Sequence, residues 1–392
     1  MSSPRAERRG RHTWRHVAKM LPILLLVAMT FYIMSTADRS HGVNTADVHA
    51  GEKYALVFYG HMTAEAAKSV ASRFQVVILE PTEASPREFK ERGATVLGYL
   101  DVLGVPASLL QWVETNHPDW LLYTESGEVA RYWYGEYIMC NIASDSYKRY
   151  LVEKARQIVE MGYDGLFLDD VMIDPTQLGG PLYDTPVYNG SWVEHVVKLF
   201  KMIKEETGAL VVYNAGWSPP DPRLMEVADG VMLESHPGSW EGDVNSPRYY
   251  LRDWGEIYNN SIVAQKYAER GKIVIALSYG NNSDIEFFSF AAVRLFDFYY
   301  AYSTPDLQTL PNYTTPDLGE PLGGHQSADG VYYRIYSRGL VALNPTDETK
   351  HLRVSVPHLG ALLDVKNSRL YRGGVLTLEL KPREGIALVQ TR

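Results

Sequence analysis

Seven short apolar segments, each followed by a longer helical pattern, succeed one another along most of this 392-residue chain. The apolar segments are residues 54–59, 76–80, 95–101, 165–170, 210–214, 230–234 and 273–278. They are continuously apolar instead of alternating, as strands covered on both faces of a sheet are. Parallel strands require long crossovers, so this order predicts a parallel sheet with helices packed against it.

The number of these strand–helix units points to one fold class. The helical patterns cover residues 63–72, 86–92, 106–116, 144–161, 191–207, 222–228, 247–270 and 284–302. With a weaker eighth strand at 307–310, the units span roughly 250 residues, which is typical of a (β/α)8 barrel, or TIM barrel. An open doubly wound sheet is the alternative, but no glycine-rich dinucleotide loop follows the first strand. We therefore expect an α/β protein with a TIM barrel over residues 54–317.

The pattern changes after residue 317. Residues 318–330 are rich in glycine and polar side chains, and no helical periodicity follows them. Short alternating or apolar runs then occur at 331–337, 339–344, 351–356, 375–380 and 385–390, separated by turn-forming residues. These features predict a small all-β sandwich over residues 318–392. We expect it to support the barrel, with an accessory sugar-binding surface as the alternative.

The first 37 residues have the pattern of a targeting segment. Residues 20–37 (MLPILLLVAMTFYIMSTA) carry no charge, and residues 1–19 contain six basic side chains. Eighteen helical residues reach about 27 Å, close to the thickness of a bilayer core. Since basic residues stay inside, we expect a cytoplasmic tail (1–19), a transmembrane signal-anchor (20–37), a linker (38–53) and a body outside the cell. A cleavable signal peptide ending near Ala37 is the alternative, and it gives a secreted protein.

Charge and composition exclude several classes of function. The first 19 residues carry a net +5 out of a total of -9, which leaves about -14 on the rest of the chain. A body this acidic has no electrostatic footprint for nucleic acid or anionic polymers. The single cysteine, Cys140, excludes a disulfide framework, and we expect it to be a buried apolar side chain. The 27 tyrosines and 8 tryptophans, against 11 phenylalanines, suit contact with a hydroxylated ligand.

Polar side chains stand at the carboxyl ends of the predicted barrel strands, where TIM barrels place reactive groups. In chain order they are Tyr59, Glu80, Asp101, Asp169, Asp170, Asn214, Glu234 and Tyr279. Carboxyl groups that converge on one mouth raise one another's pKa, so one acid stays protonated while a neighbour stays ionised. Such a pair can cleave a glycosidic bond. We expect Asp169 and Glu234 to form it, because each directly ends an apolar strand.

The fourth strand resembles that of a known family. The segment GYDGLFLDD (162–170) resembles the fourth-strand signature of glycoside hydrolases related to glycoside hydrolase family 114, whose named activity is endo-α-1,4-polygalactosaminidase. The opening Tyr59-Gly60 and the strand VMLES (231–235) are similar to theirs, and the tail segment GLVALNP (339–345) resembles the small β-domain behind glycosidase barrels. The resemblance implies that Asp169 is the strand-four aspartate and Glu234 the strand-six glutamate.

The chain departs from this family by a second aspartate, Asp170, directly after Asp169. Because side chains alternate along a strand, only one of the pair is expected to face the centre of the mouth. We favour Asp169, at the last regular position of the strand, and keep Asp170 as a candidate catalytic residue. Asp164, at the other end of the strand, is expected to be structural.

Several aromatic side chains fall in the loops after the strands. Trp133, Tyr134 and Tyr137 lie in an aromatic stretch before strand four, and Trp217 follows strand five. Aromatic planes cover the C–H face of a sugar ring and leave its hydroxyl groups available. We therefore expect Trp133, Tyr134 and Trp217 to bind substrate, although each alone is equally suited to core packing.

The remaining strand-end residues complete the predicted substrate site. His236 lies two residues beyond Glu234 and is expected to bind a sugar hydroxyl or to adjust the proton affinity of the glutamate, with loop capping as the alternative. The full substrate-binding set is Tyr59, Glu80, Asp101, Trp133, Tyr134, Asn214, Trp217, His236 and Tyr279. The sequence has no HExxH spacing and no Gly-x-Ser-x-Gly elbow, so we expect no catalytic metal, no cofactor and no serine nucleophile.

These features together predict a membrane-anchored, exported glycoside hydrolase that cleaves a polysaccharide or glycan. Glu234 is the expected proton donor and Asp169 the nucleophile or base, with the reverse assignment open. An acidic mouth favours neutral or cationic sugars, such as partly deacetylated amino-sugar polymers. Two other classes stay open: a non-catalytic carbohydrate-binding or surface-scaffold protein, and a barrel enzyme of another reaction type, such as an isomerase or transglycosidase.

Overall fold

The computed structural model describes residues 53–174 and 192–391. The predicted cytoplasmic tail, the predicted transmembrane segment and nearly all of the predicted linker lie outside these residues. Among the helices that are described, none combines the length and the apolar character that a membrane span needs.

Eight parallel strands form the barrel. They are β1 (Ala55–Phe58), β2 (Val76–Leu79), β3 (Thr95–Asp101), β4 (Gly165–Asp169), β5 (Leu210–Asn214), β6 (Gly230–Glu234), β7 (Ile273–Tyr279) and β8 (Tyr299–Ser303). Each strand pairs with the next in chain order. A parallel bridge between Tyr54 and Tyr300 joins the first and last strands, so the sheet closes on itself. The predicted TIM barrel is confirmed.

The α-helices of the described residues surround this sheet. They are α1 (Ala64–Val70), α2 (Arg87–Lys90), α3 (Leu110–Asn116), α4 (Asp145–Glu160), α5 (Trp192–Thr207), α6 (Pro222–Val227), α7 (Trp254–Ala268) and α8 (Ser283–Leu295). Five of them begin at a side chain that accepts a hydrogen bond from the first turn: Thr63, Ser144, Asp221, Asp253 and Asn282. Such caps satisfy backbone N–H groups that lack helical partners, so they fix where each helix starts.

The loops contain short elements as well. Single 3-10 turns cover Ala71–Arg73, Ala107–Leu109, Pro118–Trp120 and Trp133–Gly135. Short strands cover Gly104–Pro106, Arg131–Tyr132, Tyr137–Met139, Gly238–Glu241 and Arg248–Leu251. The last two strands form a hairpin after β6. Its second strand, Arg248–Leu251, occupies residues that the sequence predicts to be the start of a helix. The helix begins instead at Trp254, because Asp253 caps it there.

The eighth strand differs from the prediction. Residues 307–310, predicted to form it, lie in no strand, and the helix predicted for 284–302 ends at Leu295. Asp297 then adopts a positive φ of 61°, which turns the chain into β8. Lys53, next to the first strand, donates to the Asp297 carboxylate at 2.8 Å and holds the turn in place. The tyrosine-rich β8 shows no alternation of polar and apolar residues, so its sequence does not mark the boundary between helix and strand. The turn at Asp297 sets that boundary.

The interior of the barrel determines which side chains reach its mouth. Alternate strand residues form its apolar core, among them Val57, Ile78, Leu97, Phe167, Val212, Met232 and Leu277. Because side chains alternate along a strand, the residue two positions beyond each of these points the same way. Those positions hold Tyr59, Glu80, Tyr99, Asp169, Asn214, Glu234 and Tyr279. The barrel therefore presents a ring of polar side chains directly above its apolar core.

A six-stranded antiparallel sheet follows the barrel. Its strands are β9 (Gln326–Ala328), β10 (Val331–Ile335), β11 (Gly339–Asn344), β12 (Lys350–Asp364), β13 (Arg369–Leu380) and β14 (Glu384–Gln390), in the spatial order β9-β10-β11-β14-β12-β13. The β12–β13 hairpin shifts register between Val356 and Ala361, and only the half beyond the shift pairs with β14. In the other half, Leu352 joins an apolar cluster with Leu340 of β11. The predicted sandwich is thus corrected to a single bent sheet that encloses its own core.

Helix α8 is the barrel surface on which this sheet packs. A Cβ atom at Gly385 of β14 would lie 2.3 Å from the carbonyl oxygen of Phe287, so the strand approaches the helix backbone directly. Arg334 of β10 donates to the carbonyl oxygen of Leu295 at 2.9 Å. The sheet therefore covers a helix face that would otherwise meet water, which agrees with the expected supporting role.

Candidate active site

A single amide side chain joins the carboxyl groups at the ends of β4 and β6. Asn214, at the end of β5, places Nδ2 2.8 Å from Asp169 Oδ1 and 2.6 Å from Glu234 Oε2. The amide carries two hydrogens, so it donates one bond to each carboxylate. The backbone N–H of Gly216 donates to Asn214 Oδ1 at 2.8 Å and fixes which way the amide points. The two carboxylate oxygens can therefore be no farther apart than the sum of the two donor distances.

Neighbouring groups hold the two carboxylates in place. Tyr279, at the end of β7, donates its hydroxyl to Glu234 Oε1 at 2.7 Å. The backbone N–H of Asp170 donates to Asp169 Oδ1 at 2.9 Å. The hydroxyl of Tyr99, on β3, also hydrogen bonds to Asp169 and lowers its pKa. Side chains fixed in this way keep the geometry that proton transfer and covalent chemistry need.

The two carboxyl groups differ in what perturbs their proton affinity. Burial raises the pKa of Asp169, and its hydrogen bonds oppose that rise. Burial also raises the pKa of Glu234, and there the negative charge of Asp169 raises it further. Asp169 Oδ1 accepts two bonds from N–H groups, which cannot accept a proton in return. The charge of Asp169 therefore favours the protonated form of Glu234.

Two further acids line the same mouth. Asp101 accepts from the Tyr132 hydroxyl at 2.5 Å, and burial raises its pKa to about 7. Asp170, with a positive φ of 52°, accepts from the indole N–H of Trp133 at 3.2 Å. Burial, followed by the charges of Asp169 and Asp101, raises the pKa of Asp170 to about 9. Asp170 is thus protonated near neutral pH and able to donate a hydrogen bond.

Tyr59 and Glu80 complete the ring at the ends of β1 and β2. The ring of Tyr59 packs against that of Tyr99, with 4.6 Å between centroids. Burial and the charge of Asp169 raise the pKa of Tyr59, so its hydroxyl stays protonated. Burial also raises the pKa of Glu80, whose carboxylate accepts from Thr82 at 3.3 Å. The eight strand-end side chains read from the sequence are thus gathered around one mouth.

Three of the predicted aromatic residues are exposed in the loops around this mouth. Trp133 and Tyr134 are 54% and 98% exposed, and both adopt a positive φ. That conformation is uncommon for bulky residues and tends to occur at functional sites. Trp217 is 53% exposed, and the guanidinium of Arg252 lies 4.5 Å from its ring centroid. Their exposure leaves all three available to contact a sugar.

His236 does not share that exposure. Its side chain is 2% exposed, and its Nε2 lies 2.8 Å from the hydroxyl of Ser261 on α7. Burial and the charge of Arg252 lower the pKa of the imidazole to about 3. The positive φ of Ser235, 53°, turns the chain just before it. The structure therefore places His236 in the helix layer, away from the substrate-binding position predicted for it.

Sequence reasoning misses four residues of the mouth. Tyr99 lies two residues before Asp101 in β3, so strand alternation alone would have found it. Tyr132 and Arg252 come from loops, and nothing in the sequence around them points to their partners. Trp240 packs, partly exposed, against the apolar core of the barrel from the hairpin after β6. That hairpin is not predicted from the sequence.

Two residues have the structural character expected of them. Asp164 accepts from the backbone N–H of Val96 at 2.9 Å and pairs with Lys90 at 2.7 Å, at the end of β4 opposite the mouth. Cys140 is buried, and burial raises its pKa to about 12. Within residues 53–174 and 192–391, no three or more His, Cys, Asp or Glu side chains are grouped as metal ligands.

The family model described as hypothetical glycosyl hydrolase family 15 matches residues 104–340, more than half of the chain. The chain belongs to this family. The match to hypothetical glycosyl hydrolase family 15 includes the strands that carry Asp169, Asn214 and Glu234. It confirms the resemblance to glycoside hydrolases and the prediction that the protein is a glycoside hydrolase. No curated protein matches the chain.

Solved structures similar to this member of hypothetical glycosyl hydrolase family 15 include two glycosidases. The glycoside hydrolase domain of PelA from Pseudomonas aeruginosa is 20% identical, with a TM-score of 0.51 over 66% of this chain and 98% of that chain. The noncanonic maltogenic α-amylase AmyB from Thermotoga neapolitana is 12% identical, with a TM-score of 0.50 over 86% of this chain and 99% of that chain. At these identities, the similarity shows a shared fold.

Proposed function

We propose that this protein is a retaining glycoside hydrolase that cleaves an extracytoplasmic polysaccharide, with Asp169 as nucleophile and Glu234 as general acid/base. One observation carries the proposal: the amide nitrogen of Asn214 hydrogen bonds to both carboxylates, at 2.8 Å and 2.6 Å, in the mouth of the barrel. Two carboxyl groups that flank one sugar-sized site are the essential machinery of glycosidic cleavage.

The short separation of the carboxyl groups supports retention of configuration. Retaining enzymes hold their two carboxyl groups about 5–5.5 Å apart, and inverting enzymes about 6.5–9.5 Å apart, because the latter admit a water molecule between acid and base. Asp169 Oδ1 and Glu234 Oε2 share one donor atom, so their separation cannot exceed the sum of two hydrogen-bond lengths. This bound on the two oxygens bonded to Asn214 does not exceed the separation found in retaining enzymes.

The location of the proton supports the assignment of roles. The first step needs an ionised nucleophile and a protonated acid at the same time. Asp169 Oδ1 accepts two N–H bonds, which favours its ionised form. The pKa of Glu234 is raised by burial and by the charge of Asp169, which favours its protonated form.

The reaction then follows in two balanced steps. Asp169 attacks the anomeric carbon and forms a glycosyl ester, while Glu234 gives its proton to the departing glycosidic oxygen. In the second step Glu234 takes a proton from water, the hydroxide oxygen bonds to the anomeric carbon, and the ester bond to Asp169 breaks. Both residues return to their starting states, and the anomeric configuration is retained.

The charge of the mouth supports a neutral or cationic substrate. Asp169 is ionised in the proposed mechanism, and Asp101, with a pKa of about 7, is partly ionised near neutral pH, so an anionic sugar such as a uronate is repelled. An amino group on the sugar is attracted to the same carboxyl groups. Partly deacetylated amino-sugar polymers fit this charge, and so does the named activity of the family 114 enzymes that the fourth strand resembles.

The location follows from the first 37 residues. An uncharged segment at 20–37 behind a basic tail supports a single-pass membrane anchor with the barrel outside the cell, and a cleaved signal peptide gives a secreted form. The lipid bilayer is then a partner through residues 20–37. Fractionation of cells that express the full chain, followed by protease treatment of intact cells, tests this placement.

The activity is tested with wild type, Asp169→Asn, Glu234→Gln and the exposed control Glu379→Gln. Each is incubated with three hexasaccharides. They are α-1,4-linked galactosamine hexasaccharide, a hexasaccharide of partly deacetylated chitin, and maltohexaose. We expect wild type and Glu379→Gln to release reducing ends, and both mouth variants to lose at least about a hundredfold in rate. NMR of the first product formed reports whether the anomeric configuration is retained.

Two outcomes contradict the proposal. Binding of a glycan by wild type without release of reducing ends favours a carbohydrate-binding scaffold. Initial formation of the inverted anomer excludes the covalent intermediate on Asp169.

A further inference from the structure

Trp217 lies in a loop that is hydrogen bonded to Glu234 and to Asn214, the amide that bridges the catalytic pair. The neighbouring Gly216 donates its backbone N–H to Asn214 at 2.8 Å and accepts the backbone N–H of Glu234 at 3.0 Å. Gly216 has a positive φ of 57°, a conformation that favours glycine. The residue after it therefore sits at a fixed distance from the acid of the mouth.

Buried polar side chains hold the backbone of Trp217 in this position. Asn260 of α7 donates to the Trp217 carbonyl oxygen at 2.8 Å. Arg252, itself 5% exposed, donates to the Ser235 carbonyl oxygen at 3.3 Å and forms an ion pair with Glu256. Arg252 Nη2 also donates to the Trp217 carbonyl oxygen at 3.5 Å, so the guanidinium links the loop after β5 to the residue that follows Glu234.

The same guanidinium covers one face of the indole ring. The Arg252 Cζ atom lies 4.5 Å from the ring centroid of Trp217, within the range of a cation–π contact. Trp217 is nevertheless 53% exposed. Because a planar ring has two faces and Arg252 occupies one of them, a ligand of the exposed ring would use the opposite face or the ring edge.

We propose that Trp217 is a stacking platform for the sugar on the leaving-group side, and that Arg252 is the positioning residue that holds it there. The inference rests on the proposed function, because the leaving oxygen lies next to the residue that protonates it, Glu234. A tryptophan ring that is already held in place loses little conformational entropy when a sugar binds. More of the free energy of its contact with the C–H face of the sugar therefore contributes to affinity. A free tryptophan at the same place pays an ordering cost first.

The platform predicts a graded loss of oligosaccharide affinity. In the Asp169→Asn background, which separates binding from turnover, the three hexasaccharides are titrated by calorimetry. We expect Trp217→Ala to weaken hexasaccharide binding by about tenfold, Arg252→Lys by about threefold, and Trp217→Phe by less than either. Trp112→Ala is the matched control, since Trp112 is a similarly exposed tryptophan, at 44%, on α3.

A structural role for Arg252 is distinguished by substrate length. A platform on the leaving-group side contacts a hexasaccharide but not a single sugar in the attacked position, so the variants leave binding of the matching monosaccharide unchanged. General damage to the fold weakens both, and thermal melting reports it independently. Equal hexasaccharide affinity of the Asp169→Asn protein with and without Trp217→Ala overturns the platform, as does failure of the Asp169→Asn protein to bind any of the three hexasaccharides. Binding of a hexasaccharide that the wild-type protein does not hydrolyse instead overturns the proposed function alone.

Discussion

Asp101 and Asp169 are register partners on the adjacent parallel strands β3 and β4, so their side chains leave the barrel wall on the same face. Each is partly buried, and each is an acid in a mouth that already contains Glu234 and Asp170. Ionising all of them is unfavourable, because like charges and burial both oppose it. Ionisation of these carboxyl groups therefore lowers the free energy of unfolding, and a neutral variant at one of them should raise it.

Asp101→Asn should stabilise the protein more at alkaline than at acidic pH. The folded pKa of Asp101 is about 7 against an ordinary value of 3.8. Its neutral form thus contributes stability that is complete below the ordinary value and is lost as the pH rises through about 7. The asparagine has no such loss, so we expect its advantage in Tm to grow by about 3 °C or more between about pH 5 and pH 8. A constant Tm difference over that range contradicts the buried, raised-pKa carboxyl.

Asn214→Ala should lower kcat without an equal change in KM. The amide orients both carboxyl groups, and its loss leaves Asp169 and Glu234 without their shared donor. Positioned hydrogen-bond donors of this kind contribute about a hundredfold or more to turnover. Asn259→Ala, at an exposed position on α7, is the control and should leave kcat unchanged. A rise in KM alone would show that Asn214 binds substrate without positioning the pair.

The pH–rate profile should be bell-shaped, with both limbs at higher pH than two carboxyl groups of ordinary pKa would give. In the proposed mechanism, activity needs Asp169 ionised, and its raised pKa moves the acidic limb to higher pH. Activity also needs Glu234 protonated, and its raised pKa extends activity toward neutral pH. We expect Glu234→Ala to lose the alkaline limb and to form a glycosyl azide when azide is added, because azide attacks the ester without base catalysis. Persistence of the alkaline limb in that variant would assign it to another group, such as Asp170.

Gly385→Val should destabilise the whole chain. A Cβ atom there would lie 2.3 Å from the backbone of Phe287 on α8, and backbone cannot yield as a flexible side chain does. Overpacking of this kind costs about 1–3 kcal/mol, which corresponds to a drop in Tm of about 3–10 °C. Gly360→Ala is the control, since the nearest atom, Nε2 of Gln390, would lie 3.7 Å away. A single cooperative transition at lower temperature is expected; an unchanged barrel transition would show that the sheet folds independently of it.

Local periodicity explains why so much of the mouth could be predicted. The apolar runs identify seven barrel strands, and the period of two places Asp169, Asn214 and Glu234 on the inward face of consecutive strands. The same rule explains why Asp169 and not Asp170 meets Asn214. It fails at β8, where consecutive tyrosines show no alternation and the turn at Asp297 depends on Lys53, more than two hundred residues away.

Local patterns in the sequence predict the parallel barrel, the ring of polar strand ends and the change to β structure after residue 317, because strand and helix patterns are set by neighbours along the chain. Three features of the site depend on how the whole chain folds: Asn214 bridges the two acids, Arg252 covers one face of Trp217, and His236 points into the helix layer. Those contacts join residues far apart in sequence, and the direction of a loop side chain is set by what it packs against.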